Sequence, residues 1–172
     1  MIELLAAGLA LAFPALVIAG AVKDVASFTI PNWIPLALAG AFVPAALAAG
    51  LPPAALAAHA GLGFGALVLG MVLFAVRAIG GGDGKLMAAA VLWLGWPALP
   101  TFLLVTVIAG GALSLGLLAL RAPALRVLVL SGPAWFVRLA EPKEGVPYGL
   151  AIAAGALAAF PLSPFPTVFG AL

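Results

Sequence analysis

Gly80-Gly81-Gly82-Asp83-Gly84-Lys85, with Arg77 just before it, is a polar, glycine-rich knot between two strongly apolar stretches. Glycine in such a run favours a break in helix. A carboxylate at the edge of a hydrocarbon layer is costly enough to mark a functional candidate. Outward from the knot the chain is almost bare of charge. Of its 172 residues 66% are hydrophobic and 7% are charged, with mean hydropathy +1.34. A soluble domain carries roughly 25% charged residues, because its surface must face water. This composition therefore predicts an all-α, polytopic integral membrane protein, a single bundle over residues 1–172.

The same counts exclude several kinds of chemistry. With no cysteine there is no disulfide, thiolate metal site or cysteine nucleophile. A single histidine, His59, makes zinc a poor reading, since such sites take about three or four protein ligands. Seven basic residues are too few for a nucleic-acid footprint. The knot is not a phosphate loop either, because Ile79 stands where that motif needs glycine and Leu86 where it needs a hydroxyl.

Taken in order, the apolar runs predict six spans, near Ile2–Val22, Trp33–Leu51, Ala54–Ala78, Asp83–Trp96, Thr101–Leu120 and Pro147–Phe160. The first could be mistaken for a signal peptide. Its Glu3 and the absence of a basic residue before the apolar run point instead to a retained helix. Pro44 is expected to kink the second span. Gly61 and Gly65 give a spacing that lets another helix approach, and Gly110-Gly111 with Ser114 makes a second small-residue face. The fourth span is short, about 14 residues or roughly 21 Å, and Pro97 and Pro100 are expected to stop it in the interface. Arg121 to Val146, with Arg126, Arg138, Glu141, Lys143 and Glu144 broken by Pro123, Pro133 and Pro142, predicts an interfacial segment with short amphipathic helices. Trp33, Trp93 and Trp96 near helix ends suit an aromatic belt, and the Pro- and Phe-rich tail to Leu172 suits the opposite interface. With both termini outside, Lys23, Arg77, Lys85, Arg121, Arg126, Arg138 and Lys143 all fall on the inner side, as the positive-inside rule requires.

That topology puts Asp24 and Asp83 at the inner ends of the first and fourth helices. If those ends pack together, two carboxylates share a cavity mouth and, at about 3 Å, one proton. One would act as general base on water while the other polarises a scissile carbonyl. Such aspartyl-protease chemistry needs no metal and no cofactor. Gly80, Gly81 and Gly82 would let a substrate backbone approach, and Lys85 would tune the pair or meet a carbonyl. Blander roles are open beside this one: Asp83 as a helix N-cap, Asp24 as an anchor paired with Lys23 or Lys85, Lys85 as a snorkelling boundary residue, and His59 as a packed residue. Spacing does not decide between them. A small proton- or ion-coupled transporter using the same acids, or a non-enzymatic assembly subunit, also fits two acids in an apolar chain.

The knot, continued through Leu86 and Ala88-Ala89, resembles the GGGDxKLxAA region of type IV prepilin peptidases, the GxGD-type membrane proteases. Lys23-Asp24 followed by Ile30-Pro31-Asn32 is similar to that family's first-aspartate region, and Val146-Pro147-Tyr148-Gly149-Leu150-Ala151-Ile152-Ala153 to the start of its last helix. The resemblance implies that Asp24 and Asp83 are the catalytic pair. It implies a peptidase of the bacterial inner membrane that removes short basic leaders from prepilins and pseudopilins at the cytoplasmic face, just before their hydrophobic helix. Larger members carry a cytoplasmic insertion with paired CxxC motifs and N-methylate the product. Only Val25–Asn32 separates the first two spans here, so the chain is most similar to the small, peptidase-only members of tight-adherence (Flp) pili. Oligomeric state is not legible.

Overall fold

The computed structural model describes residues 2–122, 129, 131–132, 134–139, 141 and 145–166. Pro123, Arg126, Pro133, Pro142, Lys143, Glu144, the tail after Pro166, and the side chains of Glu3 and Trp135 lie outside what is described. Among the described residues all regular structure is helical: α1 (Ile2–Ala10), α2 (Ala12–Ser27), α3 (Trp33–Ala48), α4 (Pro53–Ala75), α5 (Gly81–Leu120), α6 (Ala134–Leu139) and α7 (Tyr148–Ala159), closed by a 3-10 turn at Phe160–Leu162. The first predicted span is α1 and α2 together, interrupted at Leu11. Pro14 supplies no N–H to the carbonyl of Ala10, which explains the interruption. α3, by contrast, stays helical through Pro44.

Ala6–Ser27, α4 and α5 are each apolar and long enough to cross a membrane, with Trp33–Ala48 and Tyr148–Leu162 as shorter apolar helices. Outside the core, Phe64, Met71, Val72, Leu104, Val107 and Leu115 are exposed. So many large apolar side chains facing outward would be an aggregation liability in water. Lipid is their natural solvent. The chain is a polytopic membrane protein.

α5 is 40 residues long, about 60 Å if straight and twice a bilayer core. It is not straight: Gly95 has φ 67 and ψ −176, outside the helical region. Contacts on the two sides of Gly95 show that the chain doubles back there. Before it, Gly84 lies against Gly70 and Leu92 against Gly63, so this arm runs antiparallel to α4. After it, Phe102 and Thr106 lie against Gly155, while Gly110 lies against Tyr148 and Ala151, so the second arm returns antiparallel to α7. The expected stop at Pro97 and Pro100 is thus corrected. Both prolines are helical residues of the returning arm, and the break is at Gly95. Pro97 falls in the first turn, where its missing N–H has no carbonyl to serve, and Pro100 forfeits only the bond to Trp96.

Three further expectations change. Trp93 is not in an aromatic belt; it is fully buried and donates from Nε1 to the Leu38 carbonyl at 2.7 Å. Around it stand Phe13 (5.5 Å between ring centroids), Phe42 (6.0 Å) and Phe165 (4.7 Å). Phe165 belongs to the tail, which therefore folds back into the core at least as far as this residue. Trp33 and Trp96 are exposed near helix ends, as a belt requires. Finally, the close approach expected at Gly61 and Gly65 occurs instead at Gly63 and Gly70, which face the first arm of α5; Gly61 and Gly65 have open space before them.

Candidate active site

Along α2 the buried residues are Phe13, Val17, Gly20, Ala21 and Asp24, one stripe at helical spacing. Asp24 is the last member of that stripe, whereas Lys23 beside it is exposed. The helix continues to Ser27, farther than the expected end at Lys23-Asp24, and stops at Phe28 in the left-handed region (φ 53), whose N–H donates to the Asp24 carbonyl at 2.7 Å. Helical phase therefore carries the carboxylate inward, and Asp24 is only 4% exposed.

Asp83 reaches the same end of the bundle from α5. Gly80 is the N-cap of that helix and Asp83 is the third residue in, so Asp83 is not itself the cap. Its Oδ2 accepts from the Gly80 N–H at 3.2 Å, the carboxylate half of a capping box. Capping accounts for one oxygen only. Oδ1 is buried and has no hydrogen-bond partner among the described residues. A carboxylate placed only to cap a helix would be expected to leave its second oxygen in water, because burying it unpaired is costly.

Asp24 is held by a residue 125 positions away: its Oδ2 accepts from the buried N–H of Gly149, in the first turn of α7, at 2.7 Å. That geometry depends on glycine. A Cβ at position 149 would lie 2.9 Å from Asp24 Oδ2 and 2.9 Å from Asp24 Cβ. Gly149 is the main residue that sequence reasoning missed. Its stretch stands out as the start of the last helix, but nothing in a glycine announces that its amide will meet Asp24.

Asp24 and Asp83 line one cavity of about 720 Å³, together with Phe28, Arg77, Gly80 and Tyr148 among others. Of the other residues singled out in the sequence, Gly80 reaches this cavity. Gly82 packs on the backbone of Ile30, and Gly84 on that of Gly70, so these two glycines bring neighbouring segments close. Lys85 is exposed and donates from Nζ to Asn32 Oδ1 at 2.8 Å, tying the Ile30-Pro31-Asn32 link to the start of α5. Arg77 reaches the cavity from a left-handed backbone position (φ 60) after α4. His59 lies at the opposite end, buried, with Nδ1 2.8 Å from the Leu92 carbonyl and its ring stacked on Phe42. It is a packed residue.

Described residues from the stretch after α5 lie against the aspartate end. Arg121 Nη2 donates to the carbonyls of Leu139 (3.2 Å) and Gly145 (3.1 Å), and Arg138 on α6 stands 5.2 Å from the centroid of the Phe28 ring. Gly145 and Phe28 both border the cavity. Helix ends from the first, fourth and last spans thus enclose two buried carboxylates in a membrane bundle.

That arrangement defines a class, a helical membrane protein with a paired-carboxylate cavity at one end. A family model described as the type IV leader peptidase family matches residues 11–115, which include both aspartates and stop short of α7. The chain belongs to that family, and so to the peptidases that act on type IV prepilins. No curated protein and no solved structure matches it.

Proposed function

We propose that Asp24 and Asp83 form one hydrolytic dyad that removes the leader from type IV prepilins and pseudopilins at the cytoplasmic face of a bacterial inner membrane. One observation carries this reading: the only carboxylates buried among the described residues line the same cavity from two different helices. Two carboxylates in one low-dielectric site do not both carry full charge cheaply, so the pair holds one proton between them. The ionised member takes a proton from water as its oxygen attacks the scissile carbonyl, which the protonated member polarises. The C–N bond then breaks and the departing amine takes up a proton from the dyad. Gly149 is the positioning residue for Asp24, and Gly80 for Asp83. The bare edge of Gly80 is where a substrate backbone can run beside Asp83.

The orientation rests on charge. Both ends of the short Lys23–Asn32 region, the Arg77–Lys85 turn and Arg121 belong to the aspartate end, and the positive-inside rule puts that end in the cytoplasm. The dyad then sits at the depth where a basic leader meets an apolar helix. Only residues 28–32 separate α2 from α3, which leaves no room there for a second catalytic module. We read the chain as a peptidase without methyltransferase activity, of the Flp-pilus type. A coupled transporter would place polar groups at mid-depth, whereas the largest buried side chains of this bundle, Leu38, Trp93 and Phe102 among them, are apolar or aromatic. Co-expression with a Flp-type prepilin tests the reading by gel shift. Wild type cleaves, and Asp24→Asn and Asp83→Asn, expressed to equal levels, do not. Cleavage by either variant at the wild-type rate refutes the dyad.

A further inference from the structure

A peptidase of this kind has to hold the apolar helix that follows the cut as well as the bond it breaks, and the cavity around the aspartates is a mixed surface that carries both carboxylates and Arg77. Two grooves lie beside that cavity. One, about 350 Å³, runs between α3, α4 and the first arm of α5, and its aspartate end is occupied by Lys85 and Asn32, bonded to each other. The other, about 670 Å³, runs between α2 and α7 and has no polar lining at all. Its walls are Ile18, Val22, Val25 and Ala26 on α2 and Leu150 and Ala154 on α7.

We infer that the α2–α7 groove seats the first two turns of the precursor's apolar helix, an inference that rests on the leader-peptidase reading. Continuity with the cavity carries it. Val25 follows Asp24 and Leu150 follows Gly149, so the groove begins at the pair of residues joined by the hydrogen bond that positions Asp24. Phe28 on the α2 side, and Val146 and Tyr148 on the α7 side, border the cavity from the same two chain segments. A chain leaving the groove at its Ala26–Leu150 end therefore passes over that rim toward the dyad, with its leader on the aspartate side. The length fits: Ile18 to Ala26 covers about 12 Å, roughly two turns of a docked helix. The chemistry fits too. Ile18, Val22 and Leu150 are exposed to lipid, and the alanines between them leave a channel that another helix can approach closely.

Ala154 is exposed in the groove and touches no residue of the dyad, so Ala154→Phe fills the seat without entering the cavity. The full chain, in detergent or bilayer discs, is assayed on two substrates: a precursor with its apolar helix, and a soluble peptide carrying the leader and the first few residues after the cut. The variant raises KM for the precursor about tenfold with little change in kcat, and leaves kcat/KM for the peptide unchanged. No change on the precursor, or an equal loss on both substrates, overturns the inference. Because the chain has no cysteine, disulfide trapping gives an independent reading in the Asp83→Asn background. Ala154→Cys joins a precursor cysteine in the second helical turn, while Val68→Cys, on the lipid-exposed face of α4, does not. Equal yields at the two positions overturn the seat in favour of random lipid encounter. A disulfide between two copies of the Ala154→Cys chain overturns it in favour of a dimer face. Failure of the wild type to cut either substrate defeats the leader-peptidase reading itself, whereas failure of the groove alone leaves peptide cleavage intact.

Discussion

At the scale of single residues, the site depends on a glycine as much as on its acids. Gly149→Ala adds a methyl group 2.9 Å from Asp24 Oδ2, which forces either the carboxylate or the start of α7 to move. Displacement of a reacting group by about 1 Å costs about a hundredfold in rate. We therefore expect Gly149→Ala to lower the initial cleavage rate by about that factor while the protein still inserts; an unchanged rate would show that Asp24 does not need its amide partner. The proton proposed to be shared by the pair gives a second expectation. Cleavage follows a bell in pH, falling on the acid side when both carboxylates are protonated and on the alkaline side when both are ionised. A rate that keeps rising with pH would point to a single base. Asp24 and Asp83 were legible in the sequence because a charge in so apolar a chain has to be explained. Gly149 was not, since its role exists only through a contact made 125 residues away. Nor could spacing tell that one oxygen of Asp83 caps its helix while the other lies buried with no partner among the described residues. The capping reading describes one oxygen of that side chain, and the other oxygen is the one left for the proposed chemistry.

At the scale of elements, Gly95 is the residue on which the long helix turns. A Cβ there would lie 2.5 Å from His59 Cε1, and φ 67 is a conformation that L-residues rarely hold. Gly95→Ala should lower stability by about 1–3 kcal/mol, read as a drop in the thermal midpoint in detergent. Adding His59→Ala relieves the clash but not the backbone strain, so it restores part of the loss; full restoration would mean that the backbone strain contributes nothing. Sequence reading placed this break two to five residues late because proline is the local signal for a stop, whereas the reversal is set by which residue can take positive φ beside an imidazole. The aromatic assignment failed at Trp93 for a related reason. Nearness to a helix end suggests an interface, but depth is a property of the bundle, and Trp93 ends up at the centre of the aromatic core. The helical content, the apolar spans and the short link between α2 and α3 were all readable from periodicity and composition.

At the scale of the whole molecule, one asymmetry organises the protein: among the described side chains the charged ones collect at the aspartate end, and none of them stands at the far end, where His59 lies. The orientation proposed from it makes a direct prediction. In the cysteine-free chain, Lys23→Cys and Ala122→Cys should react with an impermeant thiol reagent only when the cytoplasmic side is exposed, and Gly50→Cys in the α3–α4 turn only from the outside. The reverse pattern would place the dyad on the wrong face for a cytoplasmic leader. The central claim remains that two carboxylates act as one catalytic unit, and a kinetic cycle tests it most directly. Purified wild type, Asp24→Asn, Asp83→Asn and the double variant are compared on one prepilin peptide. Groups that act together are strongly non-additive, so each single change should cost at least about a thousandfold in kcat and the double variant no more than either single one. If either single variant keeps activity within about tenfold of wild type, or if the losses multiply, Asp24 and Asp83 are not a dyad.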